Sequence, residues 1–237
     1  PMDSATYAHH GTVESGKTTL RVVAACCMRM GSVESALLSA KMIERFRPRI
    51  IAMAGICAGF EEKVQYGDVI VANPSWDYTS SKITAKEDGS RTVTYSPDYI
   101  DIDSEIAARL EILKQDSQFF QQVHARWMGD KMRAPPTLHI APSATGPAVV
   151  ADGAVLTDIR RLQHRAAIGL EMEAYGMYCA ARIASRPRPA FFSAKAVCDY
   201  GTMFKDDKYQ KYASFTSASV VFEFVRRFGG ELSSIIK

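Results

Sequence analysis

Short, almost unbroken apolar runs alternate along the chain with longer stretches in which apolar residues recur every three or four positions. RVVAACC (21–27), IIAMAGIC (50–57), DVIVAN (68–73), TLHIAPSA (137–144), AIGLEM (167–172) and AFFSAKAV (190–197) are rich in β-branched and small residues. Runs of that kind predict strands buried on both faces. Between them, SVESALLSAKMIERF (32–46) carries its apolar residues at helical spacing, with Ser32 as N-cap and Glu34 in the first turn. Residues 103–129, 153–163, 173–184 and 208–228 are the other helix candidates. Strands alternating with helices predict a three-layer α/β/α sandwich around a mixed, largely parallel central sheet, formed as a single domain over residues 1–237. Residues 74–99 are polar, rich in Ser, Thr and Asp, and contain the turn signal EDGS. They read as a surface excursion with the makings of a hairpin.

Composition narrows the class without changing that picture. The 237 residues are 47% hydrophobic and 23% charged, an ordinary globular balance, and the length suits one large α/β domain. The net charge of +3 is spread along the chain, so no basic face points to nucleic acid. No apolar run reaches the 18 or more residues of a membrane helix, and the N-terminus lacks a signal-peptide shape. Cys26, Cys27, Cys57, Cys179 and Cys198 are odd in number, lie in or beside apolar segments and form no CxxC pair. They predict reduced, buried thiols in a cytoplasmic protein. The five histidines show no metal-ligand spacing, so neither a metal nor another cofactor is implied. The chain opens PMDSAT, without Met at position 1, which reads as a fragment or a cloning remnant.

GTVESGKT (11–18) matches the phosphate-loop pattern, in which backbone amides, a lysine and a hydroxyl hold phosphate and magnesium. That motif needs a strand before it and a helix after it. Here a polar stretch precedes it and an apolar, strand-like run follows, so a glycine-bearing hairpin turn is the better reading.

Two stretches carry the chemistry. GLEMEAYG (169–176) ends a strand in Glu171 and Glu173, separated by Met172, and AKAVCDYG (194–201) delivers Asp199 at the end of an apolar strand. Ligands of open α/β sheets lie beyond the carboxyl ends of strands. The glycine-bearing strand end MAGICAGF (53–60) would let backbone approach a ligand closely. Each feature alone has a plainer account: the two glutamates as a solvated helix start, Asp199 as an N-cap or turn residue, Met172 as core.

In order along the chain, RMGSVESALLSAKMI, AGICAGFEEKVQYGDVIVA, TGPAVV, LEMEA and CDYG before a long helix resemble the nucleoside phosphorylase superfamily, and within it the methylthioadenosine/S-adenosylhomocysteine nucleosidases. The resemblance runs from about residue 21 to residue 228. CDYGTMFKDDKYQKYASFTSASVVFEF is also similar to a branch of effector domains, some of which cleave ATP to adenine. The resemblance implies that Asp199 is the general acid that protonates the purine N7, that Glu173 grips the ribose hydroxyls with Met172 packed on the sugar, and that Glu171 stands near the attacking water. It implies that Cys57, Ala58, Val149 and Val150 hold the base largely through backbone, with Tyr209 and Tyr212 as covers for the base or the 5′ group. Met53 and Ile56 stand where phosphorylases of the family hold phosphate with Arg and Ser, which favours water as nucleophile; Arg29 matches an arginine that can serve phosphate. The nucleosidases carry a water-activating glutamate on an N-terminal strand, and Asp3 and Glu14 are poor equivalents, leaving Glu171 as the better one. The expected activity is release of adenine from a nucleoside or nucleotide; Lys205, Lys208, Lys211 and Arg29 are candidate donors for a triphosphate, with a solvated helix face as the equal alternative for the lysines. Alternatives are a purine nucleoside phosphorylase and a nucleoside-sensing domain of little or no catalytic power. A small-molecule purine is the implied partner, with no nucleic acid and no membrane, in a homo-oligomer, dimer or hexamer.

Overall fold

The N-terminal apolar run folds away from the main sheet. In this computed structural model, which describes residues 6–203 and 207–236, β1 (Ala8–Ser15) and β2 (Thr18–Ala25) form a separate antiparallel hairpin. Gly16 and Lys17 make its turn, so the phosphate-loop lookalike is a hairpin end. β2 is also a correction: its residues are exposed or half-buried, because apolar side chains alone do not bury a strand that has a partner on one edge only. Then come α1 (Ser32–Phe46), β3 (Ile50–Gly59), β4 (Val69–Asp77), the hairpin of β5 (Ser81–Ala85) and β6 (Arg91–Tyr95), α2 (Ser104–Lys114) and α3 (Ser117–Arg126). The chain ends with β7 (Leu138–Thr145), α4 (Gly153–Leu162), β8 (Gly169–Glu171), α5 (Ala174–Ile183), β9 (Ala190–Asp199) and α6 (Gln210–Ile235).

The central sheet is mixed and largely parallel. Its order is β3-β8-β7-β4-β9, with β3–β9, β4–β7 and β7–β8 parallel and β3–β8 antiparallel. A short antiparallel contact of Val69–Val71 in β4 with Ala194–Ala196 in β9 closes the sheet on itself, a curl that hydrophobic periodicity does not encode. The ten residues of β9 are all buried. Because side chains alternate across a strand, Phe191 meets Tyr178 of α5 while Phe192 meets Phe224 of α6. Helices therefore cover both faces of this strand. By the same alternation Ser193 and Lys195 face α5.

Two boundaries and the burial of the cysteines differ from the sequence reading. The stretch 103–129 is two helices, because Asp116 caps α3 by accepting the Phe119 amide. The excursion begins only after Asp77: Pro74 to Asp77 continue β4, and Trp76 is fully buried with its indole donating to Gln163. Of the cysteines only Cys57 and Cys198 are buried; Cys26 is exposed, Cys27 and Cys179 are half-buried, and all five are free thiols. No helix among the described residues is long and apolar enough to cross a membrane.

α1 and α5 approach closely at Gly176, where an added Cβ would lie 2.1 Å from the Ser32 carbonyl oxygen. Backbone cannot step aside as a side chain can. Gly176→Ala is expected to destabilise the fold by about 3 kcal/mol, the upper end of ordinary overpacking costs. A urea titration measures this, and an unchanged midpoint would show that the helices separate freely.

Candidate active site

Asp199 sits at the carboxyl end of β9 and is almost fully buried. Its Oδ1 accepts the Gly201 amide at 2.8 Å and its Oδ2 the Cys198 thiol at 3.4 Å. Gly201 takes the left-handed φ of 61° that lets the chain turn back over the carboxylate. Beside it, Ala58 is in register with Asp199 across a bulge in β3. A Cβ at Gly201 would lie 3.6 Å from both the Ala58 Cβ and the Val150 carbonyl oxygen, so Ala58 and Val150 converge on the same strand end. Val149 is 56% exposed above them.

The two glutamates have different environments. Glu171 ends β8 with its side chain only 1% exposed, and Glu173 stands just ahead of α5 at 18%. Oε2 of Glu171 accepts the amides of Glu173 and Ala174, both at 2.8 Å, and so does the work of an N-cap for α5. Its Oε1 takes the Thr145 hydroxyl. Thr145, having given its proton to Glu171, accepts from the Tyr175 amide at 3.1 Å and the Ser75 hydroxyl at 3.2 Å. Glu171 is thus engaged on both oxygens beneath the surface. Glu173 accepts the Gly31 amide at 2.9 Å on Oε1 and the Lys195 ammonium at 2.7 Å on Oε2. Lys195 also lies 3.3 Å from Glu171. Met172 between them is half-buried.

Cys57 joins the two halves of this arrangement. It is buried on β3, its thiol donating weakly to the Lys195 carbonyl at 3.6 Å. Burial first, then Cys198, Glu171 and Asp199, push its thiol well above the usual value against the opposing pull of Lys195. The thiol stays protonated, a neutral filler and not a nucleophile. Burial alone would depress the Lys195 ammonium, but Glu171 and Glu173 more than reverse this and hold it above the ordinary lysine value.

A cavity of about 1320 Å³ opens beside these groups. Residues of β2 and β3 line it together with Cys27, Arg29, Glu173 and Lys195. Apart from the contact with β8 at Ala58 and Gly59, no strand among the described residues pairs with the edge of β3 turned away from β9. The edge of β2 turned away from β1 is likewise unpaired there. The cavity reaches Glu173, Lys195 and the exposed Arg29, but Asp199, Ala58, Val149 and Val150 do not line it.

The aromatic candidates have ring and hydrogen-bond partners of their own. Tyr209 opens α6 and stacks on Tyr66 at 4.4 Å, with Tyr200 against the same ring at 4.5 Å. Lys208 lies over Tyr209, 5.4 Å from its centroid. Tyr212 is fully buried, its hydroxyl held by His124 Nδ1 at 3.0 Å. Lys211 is exposed; Asp3 and Lys205 lie outside the described residues. Met53 and Ile56 pack against the core as apolar residues, leaving β3 without an anion-binding pair there. Among the described residues no group of three His, Cys, Asp or Glu could hold a metal ion. Sequence reasoning missed Lys195, Thr145, Gly31, Tyr66 and Tyr200. A signal existed for one of them: a lysine inside an otherwise apolar strand is almost never buried without a partner.

The sequence profile of the phosphorylase superfamily matches residues 3–226. The uncharacterized protein y4jS of Sinorhizobium fredii is 30% identical over 216 residues, 91% of this chain and 52% of that protein. ATP nucleosidase Cap17 of Escherichia coli is 27% identical over 207 residues, 83% of this chain and 39% of its own length. The chain thus spans about half the length, or less, of these curated relatives. Among solved structures, the 5′-methylthioadenosine/S-adenosylhomocysteine nucleosidase of Neisseria meningitidis, in complex with methylthio-immucillin-A, superposes with a TM-score of 0.64 at 19% identity, covering 92% of this chain and 89% of that one.

Proposed function

This chain belongs to the phosphorylase superfamily, and from that premise we propose that it hydrolyses the N-glycosidic bond of adenine nucleosides or nucleotides, releasing free base. The observation that supports the reading is β9 itself, which carries Asp199 at its end and, within the same strand, Lys195 paired with Glu173. In this reading the purine lies against the backbone of Ala58 and Val150, with Val149 and Cys57 around it, and Met172 against the sugar. Asp199 gives its proton to the base as the glycosidic electron pair leaves with it. Glu173, with spare lone pairs on both oxygens, accepts from the ribose hydroxyls. Its negative charge also favours the cationic ribosyl character that develops as the bond breaks. Water forms the new C–O bond at the anomeric carbon as the bond to the base breaks, and its surplus proton passes to solvent, from which Asp199 is reprotonated, leaving a hydroxyl on the ring. Glu171 acts from below, holding the first turn of α5.

Water as nucleophile is supported by Met53 and Ile56, an apolar pair that offers nothing to a phosphate dianion. A nucleotide substrate is supported by the exposed Arg29 two residues before Gly31, and by the activity named for the Cap17 relative. Tyr209, stacked on Tyr66, serves in this reading as the wall of the site and not as a mobile cover. The same reading includes a cytoplasmic, reducing compartment, to which the free Cys57 and Cys198 are suited. It also includes a homo-oligomer, for which the exposed Met28, Met30, Val33 and Leu37 beside the site offer an apolar face. One observation favours a second reading, a nucleoside sensor of low turnover. Glu171 is engaged by Thr145, by two amides and by Lys195, so it has little capacity left to activate water.

Incubation with ATP, methylthioadenosine and adenosine, with and without inorganic phosphate, separates these readings by product. The expected result is free adenine and the unphosphorylated anomeric sugar at a rate independent of phosphate. Ribose 1-phosphate formed only with phosphate would establish a phosphorylase instead, and purine binding without base release would favour the sensor.

A further inference from the structure

We propose that Lys195 is the positioning residue that sets the Glu173 carboxylate, and that Gly55 lacks a side chain to let it do so. The proposal rests on the reading of Glu173 as the group that takes the sugar hydroxyls.

Lys195 is the one charged residue before Asp199 in a strand buried along its whole length. An ammonium there loses its hydration and needs partners of opposite charge. It finds both glutamates: Glu173 Oε2 at 2.7 Å and Glu171 Oε2 at 3.3 Å. The alternation of β9 aims it at the face where α5 begins. Its path crosses β3 at the residue in register with it, Gly55. A Cβ at Gly55 would lie 3.0 Å from Lys195 Cδ and Nζ and 3.2 Å from Cε. Those atoms are the far end of a flexible side chain. A methyl there displaces the lysine, not the fold.

The consequence falls on Glu173. One oxygen is fixed by the Gly31 amide and the other by Lys195, which sets the carboxylate plane before any ligand arrives. Pre-set geometry of this kind is what makes a binding group selective. Without the lysine, Glu171 and Glu173 face each other with no cation between them, and like charges drive the more exposed Glu173 off its position.

Gly55→Ala, Lys195→Met and Lys195→Arg test this with adenosine against 2′-deoxyadenosine and ATP against dATP, reading kcat/KM for each pair. Wild type is expected to prefer the ribose form. In Gly55→Ala and Lys195→Met that preference should fall about tenfold, the worth of one charge-assisted hydrogen bond, and Lys195→Arg should restore part of it. A merely structural lysine would lower both members of a pair equally, and an unchanged ratio in both variants overturns the proposal. Loss of the ratio in Lys195→Met alone removes Gly55 from it. The wild-type arm judges the parent reading separately: equal use of both sugars there overturns the role of Glu173, not that of Lys195. The Gly31 amide resonance in a proton–nitrogen correlation spectrum gives a readout without turnover. It is expected to shift in both Gly55→Ala and Lys195→Met as its bond to Glu173 weakens, and an unmoved resonance overturns the proposal even in an inactive protein.

Discussion

Asp199→Asn is expected to lower the rate of adenine release by roughly 10²–10⁴-fold, the span that a positioned general acid contributes, with little change in stability. The two halves of that expectation come from the two oxygens. Oδ1 accepts the Gly201 amide, and the amide oxygen of Asn accepts it equally well, so the turn that closes over the site survives. Oδ2 accepts from the Cys198 thiol, a weak donor whose loss to an amide nitrogen costs little. The proton that would go to the departing base is what disappears. Adenine production followed by chromatography against the wild type, alongside thermal unfolding of both proteins, checks the two halves together. Full activity in Asp199→Asn would remove the acid from the mechanism. A large loss of stability would mean that Asp199 holds the fold, and the rate would then report nothing about chemistry.

The position of that acid was legible because β9 is apolar apart from Ser193 and Lys195 and ends in Asp199, and ligands of such sheets lie beyond the carboxyl ends of strands. Glu171 and Glu173 were legible as a pair, but their difference was not. Two residues apart at a strand-to-helix junction, one ends β8 and the other stands just ahead of α5. The hydrogen bonds from Glu173, Ala174 and Thr145 that retire Glu171 into the interior depend on where β7 and α5 meet. Sequence spacing is silent on that meeting. β2 illustrates the opposite error. RVVAACC has the composition of a buried strand, yet burial is a property of what packs on a strand, and here one edge and much of a face look into a cavity. The helix break at Asp116 was legible in principle, since Asp followed by Ser and Gln is a good N-cap context, but apolar periodicity runs across it on both sides. Tyr209 and Tyr212 enter through the resemblance as covers for the base or the 5′ group, and their packing partners are not legible in the sequence. Tyr66, some 140 residues earlier in the chain, engages the first, and His124 holds the second. Lys195 lay in plain view in the strand, and the cost of an unpaired buried ammonium was enough to call for a carboxylate beside it.

That cost makes Glu171 the side chain whose loss the fold should tolerate least. Glu171→Ala removes the acceptor of two α5 amides, strands the Thr145 hydroxyl, and takes away one of the two carboxylates that neutralise Lys195. The Tyr175 amide and Ser75 hydroxyl depend on Thr145 keeping its orientation, so the disturbance extends into β4 and the start of α5. Breaking one side of a buried ion pair costs about 3–5 kcal/mol, more than either the crowding at Gly176 or the loss of a single neutral hydrogen bond. For a chain of this length that corresponds to a fall in Tm on the order of 10 °C. Glu171→Gln keeps an acceptor for the amides and should lose about half as much, because its charge toward Lys195 and the acceptor for the Thr145 hydroxyl are gone but the amides keep their partner. The contrast between the two variants isolates the share contributed by the acceptor of the two amides. Chemical denaturation of wild type, Glu171→Gln and Glu171→Ala measures it directly. If Glu171→Ala unfolds within about 0.5 kcal/mol of wild type, a difference typical of surface substitutions, then Lys195 is compensated without Glu171, and the carboxylate network is not what fixes the start of α5.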